Sequence, residues 1–578
     1  MIGLVRERTL HRHMGRHFHE RAAAAAEVRQ RDVRESAYQW YQAHEKEMLA
    51  ETLSSMSQFV ALCSAETECE IARYWQWLQT EGIDPDECFR RDLSEWNTGV
   101  AITDRLEALA LAAGMLQKLG RWSSSLELQT TRITLAAGAD MRPEEAWART
   151  ARGWILHAQG RYDDALRDLE HAATLFSELK DDKGLGHAIG NVGLVYFTRG
   201  EYDLAMGSFQ RMRTIAEQLR DLRGLCDADG KIGLIHLDQN EYDKALECYR
   251  RKYDLAATIW DRRSMSWAVG NMGIAHLQSG NLDEALDSFR RHREISEELG
   301  DLLGVGYSIG NTGNVHLTRE EFDQALHCYR QWYEIMESLG DRRGMSIAIG
   351  NSGLVHLRRC EYQPALECFG ASHRLSSEIG ELLGASRARG NMGYVFLDQC
   401  EYVQAVDAFL DAIRGYRNLD NIKGLADWLD GITRALVELA VDVRPTTADL
   451  EQLWPNASPT NWRDHSIREA RRYVEQRVRI VASRGDAYDA FLPATLAAID
   501  GDVVGAHRQF ESLLAHAHDR EQRAELHYWL WRTQGREKRI DAQGDRLEAL
   551  RIYTMLYESA PKQLYRKRID ELRTAHEP

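Results

Sequence analysis

The stretch GNMGIAHLQSGNLDEALDSFRRHREISEELG, residues 270–300, carries the pattern that decides the fold. The same register returns at 190, 230, 310, 350 and 390, and each copy opens on a Gly-Asn pair with a second Gly two residues after the Asn. The pairs are Gly190-Asn191, Gly270-Asn271, Gly310-Asn311, Gly350-Asn351 and Gly390-Asn391, and Gly230-Lys231 takes the remaining place. Copies in phase without an insertion indicate an internal repeat of the kind that builds solenoids.

Each copy predicts a helical hairpin. In the first clear copy, we expect one helix over about 187–198, a turn at Gly200-Glu201 and a second helix over about 203–219. Gly193 and Ala205 are small where the two helices would approach closely, and Phe209 would fill the gap to the next hairpin. A single hairpin cannot bury its apolar face, so neighbouring hairpins must stack.

A further set of glycines follows the second helices. These are Gly184, Gly224, Gly304, Gly344, Gly384 and Gly424. Because Gly is favoured in the left-handed conformation that ends many helices, we expect these residues to be C-terminal caps.

Composition excludes several classes of protein. Only Pro364 lies between Pro143 and Pro445 in the 578-residue chain, which favours helix, and the net charge of −16 argues against a broad nucleic-acid interface. No apolar run is long enough to cross a membrane, and the stretch 1–20 lacks the apolar core of a signal peptide. The nine cysteines are sparse and form no CxxC pair, so we expect a cytoplasmic protein without disulfides.

The repeat resembles the tetratricopeptide repeat in a 40-residue form. The matching residues of one copy are Asn271, Met272, Gly273, His276, Gly280, Leu282, Ala285, Phe289 and Ile295. The register with its terminal Gly-Asp pair is similar to Partner of Inscuteable-type adaptors and to kinesin light chains. The resemblance implies an all-α fold: a right-handed superhelix of helical hairpins with helical N-terminal and C-terminal extensions.

The chain divides by pattern into four parts. Residues 1–100 form a helical N-terminal region, and residues 101–440 form the array of about eight repeats, clearest over 184–424. A linker with three prolines spans 441–466, and 467–578 is expected to form helices with degenerate hairpins. The segment IARYWQWL, residues 71–78, resembles the region that precedes the repeats in nephrocystin-like STAND NTPases, but the sequence has no GxxxxGK[ST] motif.

The Asn positions define one face of each first helix. At about 100° per residue, the positions four before, three after and seven after the Asn lie within about 60° of it, whereas the Gly two after it lies on the opposite side. The resemblance implies that the Asn face lines the concave groove, where amides hold a peptide backbone. The alternative is that the amides bind neighbouring backbone within the stack.

We expect selectivity between binding partners to come from the positions of this face that differ from repeat to repeat. The groove would change from acidic, through aromatic, to basic along the array, and would read a bound segment directionally. The predicted partner-binding residues are Asn191, Lys231, Asn271, Asn311, Asn351, Asn391, Asp227, Trp267, Tyr307, Arg387, Asp238 and Arg358.

No motif indicates catalysis, a metal or a cofactor. His236, His276, His316 and His356 recur once per repeat, each in a separate hairpin, and are expected to pack rather than to bind a metal. We therefore predict a scaffold that captures a protein or peptide partner and that is not an enzyme, with no nucleic-acid or membrane partner. Self-association stays open. The alternatives are the sensor part of a STAND-type switch that lacks its NTPase, and a repeat-containing regulator or enzyme subunit.

Overall fold

The computed structural model describes residues 10–19, 30–62, 68–95, 101–119, 121–418, 422–442, 453, 462–484, 491–500, 503–515, 517, 519–534, 542–560 and 562–574. Within these ranges every regular element is a helix, and consecutive helices pack as antiparallel pairs. The prediction of an all-α solenoid of helical hairpins is therefore confirmed.

The pairs between residues 102 and 418 are numbered here as repeats 1 to 8, each with a helix A and a helix B. Their bounds are Ile102–Lys118 and Trp122–Gly138, Arg142–Ala158 and Tyr162–Leu179, Asp182–Arg199 and Tyr202–Leu219, Leu222–Asp238 and Tyr242–Thr258, Arg262–Gln278 and Leu282–Glu298, Leu302–Thr318 and Phe322–Leu339, Arg342–Arg358 and Tyr362–Glu378, and Leu382–Asp398 and Tyr402–Asn418.

Further helices lie before and after the repeats. Those before are residues 10–19, Gln30–Ala43, Lys46–Ser54, Met56–Leu62, Glu68–Thr80 and Pro85–Glu95. Those after are Ile422–Asp442, Trp462–Arg484, Phe491–Asp500, Val503–Leu514, Arg520–Gln534, Ala542–Ser559 and Gln563–Thr574. Most of the predicted linker, 441–466, lies outside the described residues, so its boundaries stay a prediction.

The chain forms two compact units, which are described separately. Unit 1 contains residues 1–315, 331–345 and 378–381, and unit 2 contains residues 316–330, 346–377 and 382–578. In unit 1 the N-terminal helices share a core around Trp40, Phe59, Trp75 and Phe89. The aromatic segment at 71–78 thus contributes core residues.

Glycine lets helix A approach helix B within a hairpin. A Cβ atom on Gly193 would lie 2.5 Å from Cε1 of the buried Phe209, and one on Gly233 would lie 2.6 Å from Cε1 of Tyr249. Phe209 also belongs to a cluster with Ile232 of the next repeat. The predicted close approach at Gly193 is observed, and Phe209 fills space on both sides of its helix.

The prediction that Gly184 and its equivalents cap the end of helix B is wrong. The left-handed residues there include Lys180, Arg220 and Trp260, with φ between 52° and 57°. Gly184 instead lies inside the next helix A, where its N–H donates to the Asp181 carboxylate, the N-cap of that helix, at 2.9 Å. A Cβ atom at Gly184 would overlap the Phe176 ring, so this glycine serves close packing rather than a turn.

The recurring histidines close the turn from helix A to helix B. His236, His316 and His356 each hydrogen-bond through Nδ1 to the glutamate five residues later, at 2.5 to 2.6 Å. The expectation that they only pack is therefore incomplete, because each also makes a polar contact across its turn.

Repeats 4 and 8 carry partly buried charge pairs of opposite orientation at equivalent positions. In repeat 4, the carboxylate of Asp229 lies 3.5 Å from Nε of Arg251 and is 1% exposed. In repeat 8, the equivalent positions hold Arg389 and Asp411, whose Nη2 and Oδ2 atoms lie 2.7 Å apart. Each pair joins helix A to helix B of its own repeat.

The last described helix, Gln563–Thr574, is anchored in unit 2 by ion pairs. Arg568 is 1% exposed and pairs with Glu438, and Lys562 Nζ lies 3.8 Å from Oδ1 of Asp398. This helix thus buries part of its charge.

Candidate functional site: the ladder face of the A helices

The packing of each hairpin leaves one face of helix A away from helix B. We call the residue that follows the first Gly of the repeat the ladder position; it is held by Asn191, Lys231, Asn271, Asn311, Asn351 and Asn391. The glycine two residues after the ladder position contacts helix B, as at Gly193, Gly233 and Gly273. The ladder position is about 160° from that glycine on the helix. We call the surface around it, with the positions four before, three after and seven after, the ladder face.

In unit 1, residues four before the ladder position contact each other across repeats. The rings of Trp267 and Tyr307, in repeats 5 and 6, have centroids 6.0 Å apart. The rings of Trp147 and His187, in repeats 2 and 3, have centroids 5.8 Å apart. Equivalent positions of neighbouring repeats therefore lie side by side on one surface.

Trp147 is a residue that the sequence interpretation missed. Repeat 2 has Ala151 at the ladder position instead of Asn, so the Gly-Asn pattern does not mark it. The spacing of one full repeat from Trp147 to His187 was the signal that could have found it.

Two buried side chains of helix B support the aromatic part of this face. His292 contacts Trp267 and Trp332 contacts Tyr307, each with ring centroids 5.8 Å apart. A Cβ atom on Gly270 would lie 2.8 Å from Nδ1 of His292, so the Gly of the Gly-Asn pair also has a packing role. Burial lowers the pKa of His292 to about 4, which keeps its ring neutral.

The ladder amides of unit 1 are half-buried. No described residue hydrogen-bonds to the side chains of Asn191 and Asn271, whereas Oδ1 of Asn311 accepts from Nδ2 of Asn314 at 3.4 Å. An amide group both donates and accepts, so such side chains have the capacity to bind a peptide group.

Repeats 3 and 4 give the same face a charged part. Burial lowers the pKa of Lys231, and Lys252 lowers it further while Asp227 acts in the opposite direction. Burial and the Lys231 charge lower the pKa of His187. Asp238, seven after the ladder position, is half-buried. Unit 1 thus places a charged region beside the aromatic one.

In unit 2, the predicted residues lie on helices A of repeats 7 and 8. Asn351 and Asn391 are half-buried, and Arg358 and Arg387 are exposed. Neither arginine forms an ion pair with another residue of the described part of unit 2. The expectation that one groove runs from the aromatic residues to these arginines stays a prediction.

One ladder-face position of unit 2 is engaged by the chain itself. Asp398, seven after Asn391, faces Lys562, the residue that immediately precedes the last described helix. Burial raises the pKa of Asp398 to about 6, although the Lys562 charge opposes this shift. Sequence alone could not show this contact, because the two partners lie far apart in the chain and in different helical hairpins.

The described residues hold no group of three or more His, Cys, Asp or Glu side chains placed to bind a metal ion. Among them, no helix has the length and apolar character needed to cross a bilayer.

Family models for the tetratricopeptide repeat match residues 146–178 and 264–338. These segments include Trp147, Trp267, Tyr307 and the ladder residues that follow each of them. Together with the 40-residue period of the helical hairpins, the matches show that the chain contains tetratricopeptide repeats. The sequence has no significant match among curated proteins.

Several solved structures are similar at low identity. A Rap protein complexed with competence and sporulation factor is 16% identical, with a TM-score of 0.43 and coverage of 65% of this chain and 99% of that one. A STAND protein with a tetratricopeptide repeat sensor from Pyrococcus horikoshii is 10% identical, with a TM-score of 0.37 and coverage of 66% of this chain and 58% of that one. BtubC from P. vanneervenii is 16% identical, with a TM-score of 0.32 and coverage of 37% of this chain and 91% of that one.

With TM-scores below 0.5, these likenesses carry no argument about what the chain binds. The similarity to Partner of Inscuteable-type adaptors and kinesin light chains stays a prediction, as does the role of a STAND-type sensor.

Proposed function

We propose that the ladder face of unit 1 captures an extended segment of a partner protein. The chain acts as a scaffold, with neither a reaction nor a cofactor, in the cytoplasm. The observation that carries this proposal is the contact between equivalent rings of neighbouring repeats, Trp147 with His187 and Trp267 with Tyr307. Such contacts build a surface from residues that are one repeat apart in sequence.

The surface offers two kinds of recognition. The amides of Asn191 and Asn271 can pair with peptide groups of any sequence, since a peptide group has one donor and one acceptor. Trp267 and Tyr307 are half-buried and pack against the buried His292 and Trp332. An apolar side chain of the ligand can therefore pack on Trp267 and Tyr307 with little loss of the side-chain entropy of these two residues. Asp227 and Lys231 add charge at the neighbouring repeat and give the ligand a direction.

A selection from a displayed library of random 12-residue peptides tests the proposal. One class of the peptides selected on the full chain should bind a Trp267→Ala/Tyr307→Ala double variant at least tenfold more weakly, because aromatic anchors commonly contribute about 1–2 kcal/mol each. Fluorescence anisotropy of a labelled peptide gives the affinities, and circular dichroism verifies that helicity is unchanged. Leu204→Ala is the matched control, since Leu204 is an exposed apolar residue of helix B in repeat 3.

A second variant tests backbone recognition. Asn271→Ala should weaken every peptide of that class by a similar factor, whatever its side chains. Unchanged affinity in both variants would contradict the proposal.

A further inference from the structure

A ridge of exposed residues lies at the turns that lead from helix B to the next helix A. It comprises residues 219–223, 259–263 and 299–303, the turns after repeats 3, 4 and 5, and we call it the turn ridge. Its exposed large apolar residues are Leu219, Trp260, Leu299, Leu302 and Leu303. All of them belong to unit 1.

Trp260 is the most anomalous residue of the ridge. Its side chain is 84% exposed, and its φ of 57° lies in the left-handed region that bulky residues avoid. The same position holds Gly300, Gly340 and Gly380 in the next repeats, where the turn forms without a side chain. A tryptophan here therefore strains the backbone, and its exposed side chain does not offset that strain by burying apolar surface.

Ion pairs show that the three turns are adjacent. Arg262 pairs with Glu298 at the end of the next helix B, which brings the second turn beside the third. Nε of Arg223 lies 3.8 Å from Oδ2 of Asp261, which brings the first turn beside the second. Trp260 and the exposed leucines thus belong to one surface rather than to separate loops.

Two arginines of the ridge have no carboxylate partner in the part of the chain that the structure describes. Arg220 and Arg263 are exposed, and neither forms an ion pair with any residue in the described ranges. The nearby carboxylates are engaged, because Asp261 accepts from the N–H of Ser264 at 3.1 Å and Glu298 pairs with Arg262. The ridge therefore presents two guanidinium groups without a carboxylate partner among the described residues, on the same set of turns as an exposed indole.

We propose that the turn ridge is a second docking surface for a carboxylate-rich segment of a partner protein that packs a large apolar side chain on Trp260. An acidic segment fits because it would pair with Arg220 and Arg263, and a basic segment would be repelled. Trp and Arg are the residues that most often carry the energy of protein interfaces. This surface is formed by turns and does not include the ladder face, so it does not depend on the function proposed above.

A Trp260→Gly variant separates docking from folding. Gly fits the left-handed turn, so the variant should unfold at the same temperature as the wild type or at a higher one. A structural role for Trp260 would instead lower that temperature. Leu382→Ala is the matched control, since Leu382 is an exposed apolar residue at an equivalent turn in unit 2.

The binding probe is a displayed library of random 12-residue peptides, selected on the wild-type chain and depleted on Trp260→Gly. The remaining peptides should be rich in Asp and Glu and carry at least one large apolar residue. Their affinity should fall at least tenfold in Trp260→Gly and in Arg220→Glu/Arg263→Glu. It should be unchanged in Leu382→Ala and in Trp267→Ala/Tyr307→Ala.

Three results would overturn the proposal. The first is a selection that yields no peptide dependent on Trp260, or only basic ones. The second is self-association in sedimentation that Trp260→Gly abolishes, which would make a second copy of the chain the occupant. The third is sedimentation with vesicles of phosphatidylserine and phosphatidylcholine that Trp260→Gly abolishes, which would make a lipid surface the occupant.

Discussion

The same substitution at two glycines of repeat 3 should have opposite effects on stability. Gly207, on helix B, is exposed, and a Cβ atom there would meet nothing within 4 Å. Gly207→Ala should therefore stabilise the protein by about 0.5–1 kcal/mol, because Ala is the better helix former. Gly193→Ala, on helix A, gains the same helix propensity, but the new Cβ atom would lie 2.5 Å from Cε1 of Phe209 and 3.0 Å from Cβ of Ser208.

The cost at Gly193 follows from how little its neighbours can move. Phe209 is fully buried between two repeats, so the clash should cost about 3 kcal/mol, the upper end for overpacking. After the gain in helix propensity, Gly193→Ala should be destabilised by about 2 kcal/mol.

Urea unfolding followed by circular dichroism measures both variants. Hydrogen exchange of helix Asp182–Arg199 shows whether the loss is local to repeat 3, since repeat arrays open in parts. A Gly193→Ala variant as stable as Gly207→Ala would refute the close approach of helices A and B.

Two further predictions concern buried charge. Asp229→Arg should destabilise the protein by about 3 kcal/mol, because it places a positive charge beside both Arg251 and Arg213. Adding Arg251→Asp should recover at least half of that loss, since it copies the reverse pair of repeat 8. Urea midpoints of the single and double variants test this, and a double variant no better than Asp229→Arg would contradict it. Burial lowers the pKa of His292 to about 4 in the folded protein, below its unfolded value near 6.5. The stability that the neutral ring contributes is therefore present above pH 6.5 and is lost as the pH falls toward 4, and the complete loss is about 3 kcal/mol. His292→Met, the residue found at the same position in repeat 3, should lose less stability between pH 7 and pH 5, and equal losses in both proteins would refute the assignment.

The fold was predictable because its determinants are local and repeated. Gly193 and Phe209 recur at fixed spacing, and only close helix packing explains a glycine opposite an aromatic residue in each of repeats 3 to 8. The role of Gly184 was not predictable in the same way. A glycine near a helix end fits either a left-handed cap or a packing contact, and only its distance from Phe176 decides between them.

The candidate site was predictable in part. Helical periodicity places Trp267 and Tyr307 at equivalent positions of successive repeats, but not the buried His292 beneath Trp267, because periodicity along helix A says nothing of the side chains that helix B contributes. The pairing of Asp398 with Lys562 and the exposure of Trp260 in a strained turn both depend on tertiary structure.

Site-specific photo-crosslinking tests most directly whether a peptide binds along the ladder face. Benzoylphenylalanine is introduced in place of His187, which is exposed on helix A of repeat 3, or in place of Leu204, which is 53% exposed on helix B of the same repeat. A peptide that depends on Trp267 and Tyr307 should crosslink at position 187 and not at position 204. Crosslinking at position 204 alone would contradict the account.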